Sequence, residues 1–290
     1  MNSLSTEPGA LSLRAAHHYA RRFLEEAGMK EAVIEAKILV EWVSQKRPID
    51  VLLRPDVLLP KEAQRKLENA LMLRRQGVPI YRLIGAREFY GHRLALNKDT
   101  LDPRPDTEIL VDLAQERFFL QNEAPLTLLD IGTGSGAIAI SLLSLFKNAQ
   151  ALAVDISENA LRLAYQNAVA AGVERRFIPR LSDCFERVKG SFDLIISNPP
   201  YIPHDQIPHL MPEVRDYDPI RALDGGKDGL HFYRILAKQS RPYLKVQGLI
   251  AIEIGQGQED DVRAIFAQQG FRCLEVRPDL NRIPRAILFQ

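Results

Sequence analysis

The stretch Asn198-Pro199-Pro200-Tyr201 combines residue types that could hold a planar amino group. It follows the apolar run 192–197, which predicts a buried strand, and the prolines end that strand because each lacks an N–H and fixes φ. The side-chain oxygen of Asn198 and the carbonyl of Pro199 could accept both protons of an amide or exocyclic amine. Tyr201 could supply a flat face beside it. A simple strand-ending turn is the alternative interpretation.

A second motif predicts a glycine turn that a ligand could approach closely. Residues 126–140 indicate an apolar strand, a turn containing Gly132, Gly134 and Gly136, and the apolar start of a helix. Glycines allow close approach of the backbone, and the helix N-terminus offers N–H donors. Asp155 closes the next apolar run, where its carboxylate could accept hydrogen bonds from both hydroxyls of a ribose.

Two kinds of cofactor fit this turn. It matches the dinucleotide-binding fingerprint if Ala137 takes the third small position and Asp155 the acidic one, so a nicotinamide-dependent dehydrogenase is one interpretation. The order of the motifs favours a methyltransferase instead. A methyltransferase needs an amine-holding loop after its fourth strand, where Asn198 falls, whereas no acid or base for hydride chemistry can be assigned.

The chain resembles the release-factor glutamine methyltransferases, which belong to the class I S-adenosylmethionine-dependent methyltransferases, over nearly its whole length. The resemblance is carried by an ordered series of segments at 87–91, 103–108, 130–136, 154–157, 182–183, 198–201, 217–223 and 225–229. The Asn-Pro-Pro-Tyr motif alone also resembles DNA adenine and RNA guanine methyltransferases. Segment 103–108, Pro-Arg-Pro-Asp-Thr-Glu, and the Asp-Gly stretch after the loop resemble the glutamine enzymes.

This resemblance implies methylation of the side-chain amide nitrogen of the glutamine in the Gly-Gly-Gln motif of peptide chain release factors, with S-adenosylmethionine as methyl donor. It implies Asn198, Pro199 and Tyr201 as catalytic residues, and Pro200 joins them in binding the substrate. The cofactor-binding residues that it implies are Arg104, Pro105, Thr107, Asp130, Gly132, Thr133, Gly134, Asp155, Asp183 and Asn198. No metal is implied.

Within that set, the resemblance implies different parts of the cofactor for different residues. Gly132, Thr133 and Gly134 border the methionine part, Asp155 the ribose and Asp183 the adenine, and segment 104–107 closes over the cofactor. A nucleic-acid adenine or guanine methyltransferase of the same fold, and a methyltransferase for a ribosomal-protein glutamine, stay open as alternatives.

Composition bears on partners and location. The 290 residues contain 38 Lys and Arg against 37 Asp and Glu, and this near-neutral balance disfavours stable nucleic-acid binding. Cys184 and Cys273 lie far apart without nearby histidines, so they predict neither a metal site nor a disulfide framework. No apolar run reaches the roughly 18 residues of a membrane span. We therefore expect a cytoplasmic monomer with no membrane association.

The pattern of apolar residues predicts an α/β fold. Residues 1–85 have helical spacing and no cluster of nucleophiles or ligands, so we predict a helical substrate-recognition domain, followed by a β-hairpin linker at 86–97. Residues 98–290 form the predicted Rossmann-like class I methyltransferase domain, with a parallel sheet and one antiparallel strand near the C-terminus. Strands are predicted near 126–131, 150–155, 176–181, 192–197, 249–254, 271–276 and 285–289, and helices near 135–146, 157–171, 228–244 and 259–269.

Overall fold

The computed structural model describes residues 11–46, 48–118, 125–279 and 281–290. The chain forms two compact units, Met1–Ile84 and Gly85–Gln290. The first ten residues of the predicted helical domain lie outside the described residues. Within the described part of the chain, no helix has both the length and the apolar character needed to cross a membrane.

The first unit is a bundle of short helices. Its helices are α1 (Leu13–Glu26), α2 (Ala32–Ser44), α3 (Pro48–Leu53), α4 (Lys61–Arg75) and α5 (Ile80–Ile84). Ser12 caps α1, because its hydroxyl oxygen accepts the N–H of Ala15 at 3.2 Å. The longer helices each bury one face, and alanine and leucine dominate the core between them. Small side chains at these contacts let the helices approach one another closely.

A buried ion pair joins α2 to α4 inside this bundle. Arg74 donates from Nε to Oε2 of Glu35 at 2.8 Å and from Nη2 to Oε1 at 2.9 Å. Both side chains are almost completely buried. The bidentate geometry supplies the guanidinium and the carboxylate with the charged partners that burial requires.

The second unit is built around a seven-stranded sheet. Its strands are β3 (Thr127–Ile131), β4 (Gln150–Asp155), β5 (Phe177–Leu181), β6 (Phe192–Ser197), β7 (Leu244–Glu253), β8 (Cys273–Pro278) and β9 (Pro284–Phe289), after a hairpin of β1 (Ala86–Phe89) and β2 (His92–Ala95). The order across the sheet is β5-β4-β3-β6-β7-β9-β8. Strands β5, β4, β3, β6 and β7 pair in parallel, and β9 is antiparallel to β7 and β8. The predicted fold class is therefore confirmed.

Helices cover both faces of this sheet. They are α6 (Glu108–Phe118), α7 (Ala137–Leu145), α8 (Glu158–Ala170), the single turn α9 (Pro212–Arg215), α10 (His231–Gln239) and α11 (Glu259–Gln268). Successive strand residues enter opposite cores: Leu128 packs in the core with α6, α7 and α8, and Leu129 packs in the core with α10 and α11. Burial on both faces explains why the central parallel strands β3, β4 and β6 are largely continuous apolar runs in the sequence, whereas the edge strand β5 is mostly exposed.

Strand β7 is longer than the sequence predicts. It begins at Leu244, whereas the apolar run indicates a start near 249. Its first residues, including Lys245 and Val246, are exposed, so apolar patterning does not reveal them. The preceding helix α10 is correspondingly shorter than predicted, since it ends at Gln239 before a turn that contains Pro242.

The hairpin belongs to the second unit and is fastened to α8 by one buried side chain. Asn167 accepts the N–H of Ala95 at 2.8 Å and donates to the carbonyl of Ala95 at 3.1 Å. Its Nδ2 also donates to the carbonyl of Ser135, in the glycine turn, at 2.9 Å. A single amide therefore positions both the hairpin and the turn that opens α7.

The strand order places a crevice where two strands diverge. Strand β3 has β4 on one side and β6 on the other, so the connections after β3 and β6 lead to opposite faces of the sheet. In open α/β sheets the space at the carboxyl ends of such strands is the usual ligand site. Both sequence motifs lie there, because the glycine turn follows β3 and Asn198 follows β6.

The buried pair in the bundle gives the first prediction. Glu35→Ala should lower the free energy of unfolding of the helical unit by about 3–5 kcal/mol, because it removes the bidentate carboxylate that binds the buried Arg74 guanidinium. The matched control is Glu25→Ala, which removes an exposed ion pair with Arg21 and should cost about 0.5 kcal/mol or less. Urea unfolding of both variants, followed by circular dichroism, measures the difference. Equal losses in the two variants would contradict the prediction.

Candidate active site

A cavity of about 300 Å³ lies at the carboxyl ends of β3 to β6. Most of the residues predicted from the sequence line it: Arg104, Thr107, Gly132, Thr133, Gly134, Asp155, Asp183, Asn198, Pro199 and Pro200. Pro105, Asp130 and Tyr201 are not among its lining residues, although each is next to one or close to one in the chain. The fold thus gathers five separate segments of sequence, which include residues 104–107, 132–134, 155, 183 and 198–200, around one space.

The glycine turn after β3 leaves room for a ligand. Gly132 and Gly134 line the cavity with φ of +72° and +54°, and a Cβ built on either one would meet no atom within 4 Å. Side chains at these positions would therefore extend into open space and be strained by the backbone conformation. The N–H groups of Gly132 and Thr133 both donate to the carbonyl of Val154 at 2.9 Å, which fastens the turn to β4.

Asp155 is fixed at the end of β4 by backbone donors. Its Oδ2 accepts the N–H of Gly134 and its Oδ1 accepts the N–H of Ser157, each at 2.9 Å. Burial raises the pKa of this carboxyl group, whereas the two N–H donors and the charge of Arg221 lower it. The carboxylate is thereby held rigidly at the cavity wall, where it can accept further hydrogen bonds from a polyol.

Asp130 supports the turn from behind. Its side chain is 1% exposed, and its Oδ2 accepts the hydroxyl of Thr133 at 2.7 Å. The other oxygen, Oδ1, has no hydrogen-bond partner among the described residues. Burial raises the pKa of the group to about 7, and the hydrogen bond from Thr133 opposes this rise. Asp130 therefore fixes Thr133, which does line the cavity.

The loop after β6 is tied to the segment that precedes α6. The Asn198 side chain donates from Nδ2 to the hydroxyl oxygen of Thr107 at 3.0 Å. Just before it, the hydroxyl of Ser197 donates to the carbonyl of Ile131 at 2.7 Å, which joins the ends of β6 and β3. Both predicted motifs and the 103–108 segment are thus parts of one site.

The backbone at Tyr201 is held in place by Gln258 and by the glycine-rich stretch 225–229. The Nε2 of Gln258 donates to the carbonyl of Tyr201 at 3.0 Å and to that of Gly229 at 3.3 Å. A Cβ on Gly225 would lie 2.8 Å from the Tyr201 carbonyl carbon, and one on Gly229 would collide with the Tyr201 carbonyl oxygen. The glycine-rich stretch 225–229 is therefore required by close backbone contact. The Tyr201 ring packs against the core that contains α10 and α11.

Arg104 links the cavity to two buried carboxylates. Its Nη2 donates to Oδ2 of Asp218 at 2.6 Å, and its Nη1 lies 3.5 Å from Oδ2 of Asp102. Asp102 also pairs with Arg87 of the hairpin at 2.7 Å. This network holds the 103–108 segment beside the loop that follows Asn198.

Cys184 lines the cavity next to Asp183 and has a φ of +42°. Its thiol is partly buried, and burial together with the negative charge of Asp183 raises its pKa to about 12. The group is therefore a neutral thiol at physiological pH.

Several residues around the site were not assigned a role from the sequence. Arg221, His231 and Phe232 line the cavity, and the segment 217–223 contributes only to the family resemblance in the sequence. Glu253 is 2% exposed at the end of β7, beside Thr107 and Asn198. One signal could have revealed it. Like Asp155, it is a lone carboxylate that closes an apolar run at the carboxyl end of a strand.

Comparison with known proteins agrees with this geometry. The PrmC N-terminal domain model matches residues 15–85, and the Methyltransferase small domain model matches residues 99–211. The release factor glutamine methyltransferase of Agrobacterium fabrum is 39% identical over 93% of this chain and 94% of that relative. The corresponding protein of Rhodospirillum rubrum is 43% identical over 91% of this chain and 81% of that relative.

The chain belongs to the release factor glutamine methyltransferase family. The resemblance predicted from the sequence is therefore confirmed. A solved methyltransferase from Pyrococcus furiosus, with a TM-score of 0.52 and 16% identity, covers 79% of this chain and 98% of that one, and it shows the same fold.

The residues around the cavity fit the S-adenosylmethionine expected in this family. The open space over Gly132 and Gly134 admits a ligand against the backbone. Asp155 offers a fixed carboxylate for ribose hydroxyls. Apolar side chains, Ile138 and Ile156 among them, line the same cavity and suit the flat face of an adenine.

Asp155 gives the second prediction. Asp155→Ala should weaken S-adenosylmethionine binding by roughly 1.5–3 kcal/mol, the scale of hydrogen bonds to a charged group. Isothermal titration calorimetry of the folded variant measures the loss. Glu158→Ala removes a nearby exposed carboxylate that does not line the cavity, and it should bind as tightly as the unaltered protein. An unchanged isotherm for Asp155→Ala would remove this residue from the cofactor site.

Proposed function

We propose that this protein methylates the side-chain amide nitrogen of the glutamine in the Gly-Gly-Gln motif of peptide chain release factors. The observation that carries the proposal is the position of Asn198 and Pro199, which line the same cavity as the glycine turn and Asp155. Membership of the release factor glutamine methyltransferase family supports the reaction and the substrate class.

We assign the parts of S-adenosylmethionine to different residues that line the cavity. Gly132, Thr133 and Gly134 hold the methionine part of S-adenosylmethionine, Asp155 the ribose and Asp183 the adenine. Asp130 acts through Thr133, and segment 104–107, with Arg104, Pro105 and Thr107, covers the cofactor. When bound, the cofactor supplies an electrophilic methyl group on a sulfonium.

The side chain and backbone at the end of β6 hold the acceptor amide. An amide nitrogen is a poor nucleophile because its lone pair is delocalised into the carbonyl. The Asn198 side-chain oxygen and the Pro199 carbonyl oxygen would each accept a hydrogen bond from one N–H of the substrate amide. These two hydrogen bonds would orient the nitrogen and stabilise the positive charge that develops on it. Pro200 shapes the cavity wall. The Tyr201 ring does not line the cavity and packs against the core that contains α10 and α11, so Tyr201 acts through its place in the loop and does not supply the flat face expected beside the amide.

No strong base is required in this scheme. Methylation of the neutral amide nitrogen would give a positively charged, N-protonated N-methylamide, which is very acidic and would lose its proton to water. Positioning and desolvation in a mostly apolar cavity therefore account for the catalysis, in agreement with a set of lining residues that hold and orient the substrate.

We further propose that the helical domain 1–85 recognises the release factor, that 86–97 links it to the catalytic part, and that 98–290 is the methyltransferase domain. The support is the match of residues 15–85 to an N-terminal domain model and of 99–211 to a methyltransferase model. We also propose that the enzyme is a cytoplasmic monomer without stable nucleic-acid binding. The near balance of 38 basic and 37 acidic residues supports the last point.

Asn198 gives the third prediction. Asn198→Ala should reduce turnover about a hundredfold or more while leaving S-adenosylmethionine affinity within a few fold, because it removes one preorganised acceptor of the substrate N–H. Asn148→Ala is the matched control, since Asn148 is exposed before β4 at the opposite end of the sheet. Single-turnover methylation of an intact release factor measures both. Near-normal turnover in folded Asn198→Ala would disprove the amide-holding role.

The substrate gives the fourth prediction. Incubation with labelled S-adenosylmethionine should place the methyl group on the Gly-Gly-Gln glutamine of an intact release factor, located by peptide mass spectrometry. A factor carrying Gly-Gly-Ala at this site is the control and should stay unlabelled. An isolated Gly-Gly-Gln peptide should be a much poorer substrate, because it offers contacts only near the tip. Label on DNA, RNA or a ribosomal protein instead of the factor would favour the alternative methyltransferase functions.

A further inference from the structure

Glu253 lies directly behind the amide-holding residue. It is the last residue of β7, which pairs in parallel with β6. Ser197 of β6 is opposite Ile252 of β7, so the next residues, Asn198 and Glu253, leave the sheet side by side. Glu253 is 2% exposed and is not one of the residues lining the cavity, whereas Asn198 and Thr107 both are. It therefore does not contact a ligand in the cavity itself, and those two side chains connect it to the cavity.

The hydrogen bonds around Glu253 have a defined direction. The side chains of Thr107 and Asn198 lie close enough to its carboxyl group to lower its pKa, and its buried Oε2 has no hydrogen-bond partner among the described residues. An ionised carboxylate only accepts, so Asn198 must present its NH2 end to it. The same NH2 group donates to the hydroxyl oxygen of Thr107 at 3.0 Å, which leaves the Thr107 proton free to point at Glu253. This arrangement turns the Asn198 oxygen away from Glu253.

We propose that ionised Glu253 is a positioning residue that orients the Asn198 amide so that its oxygen accepts the N–H of the substrate glutamine. The effect of this orientation on catalysis rests on the proposed function, in which the Asn198 oxygen holds the substrate glutamine. A protonated Glu253 could donate to the Asn198 oxygen and favour the flipped amide. The flipped amide would aim N–H donors at a substrate group that also donates, and the substrate would be held poorly.

The surroundings of Glu253 place its ionisation near neutral pH. Burial raises its pKa to about 7, and the side chains of Thr107 and Asn198 and the charge of Arg285 lower it. Asp106 raises it further. The phenols of Tyr201 and Tyr233 also lie close enough to interact with it, and both stay neutral in this range because their own pKa values are raised.

The first test needs no substrate. In the 15N-labelled full chain, the side-chain NH2 signals of Asn198, assigned by their loss in Asn198→Ala, should shift with pH through a midpoint near 7. In Glu253→Gln the same signals should show no such transition. Signals of Asn198 that are independent of pH between 5.5 and 9 in the unaltered protein would overturn the inference.

The second test measures catalysis. At pH 8, Glu253→Gln should lower the single-turnover rate on an intact release factor about 10- to 100-fold, the range seen when a supporting residue is lost. S-adenosylmethionine affinity should stay within twofold. The rate of the unaltered enzyme should rise with pH through about 7, and that rise should be absent in the variant. The matched control is Asp193→Asn, at the start of β6 and away from the cavity, which should keep both the rate and its pH dependence.

Stability separates positioning from a structural role. A raised pKa in the folded state means that ionisation of Glu253 costs stability as the pH rises from about 4.5 to about 7. The neutral Glu253→Gln variant should therefore melt no lower than the unaltered protein at pH 8. A large loss of melting temperature with a proportional loss of rate would indicate a structural role and overturn the inference. Glu253→Asp, which keeps the charge, should retain a pH-dependent rate.

The outcomes also separate this inference from the proposed function. If the enzyme methylates the release factor and Glu253→Gln does so at the same rate with the same pH dependence, the inference fails and the proposed function stands. If no release factor is methylated but the Asn198 signals titrate only when Glu253 is present, the proposed function fails and the orientation of Asn198 by Glu253 stands.

Discussion

The hydrogen bond between Asn198 and Thr107 is the contact on which the organisation of this site depends. It joins the loop after β6 to the segment before α6, two parts of the chain that are 91 residues apart. The rest of the catalytic unit supports its two ends. Ser197 fastens the end of β6 to β3, and Gln258 fastens the loop beyond Tyr201. A precise acceptor geometry is thus obtained from side chains that have little freedom to move.

Three carboxyl groups near the ends of neighbouring strands show how the fold uses burial. Asp130, Asp155 and Glu253 all have raised pKa values, and burial is the largest cause in each case. Asp130 and Asp155 accept hydrogen bonds from the glycine turn and the start of α8, which partly offset the cost of burial, and Glu253 lies beside Thr107 and Asn198. The result is that the loops carrying the chemistry are fixed from inside the protein, beneath the cavity wall.

The sequence predicted the sheet well because parallel strands buried on both faces are continuous apolar runs. The predicted strands at 150–155 and 192–197 coincide with β4 and β6. Most of the site residues that it predicted do line the cavity, since the chemically distinctive residues follow these runs directly. It did not predict Glu253 or Gln258 as parts of the site, although Glu253, like Asp155, is a carboxylate at the carboxyl end of an apolar run. Their contacts depend on the register between β6 and β7 and on loop packing, which no local pattern encodes.

The raised pKa of the Cys184 thiol bears on whether the methyl donor can alkylate the protein itself. A protein that binds an electrophilic methyl donor risks alkylating its own nucleophiles, and a thiolate is the strongest nucleophile among protein side chains. Cys184 lines the same cavity, but burial and the charge of Asp183 raise its pKa to about 12, so the thiol stays protonated at neutral pH. Partial burial beside a negative charge therefore lets a cysteine line this cavity while keeping it inert toward the methyl donor.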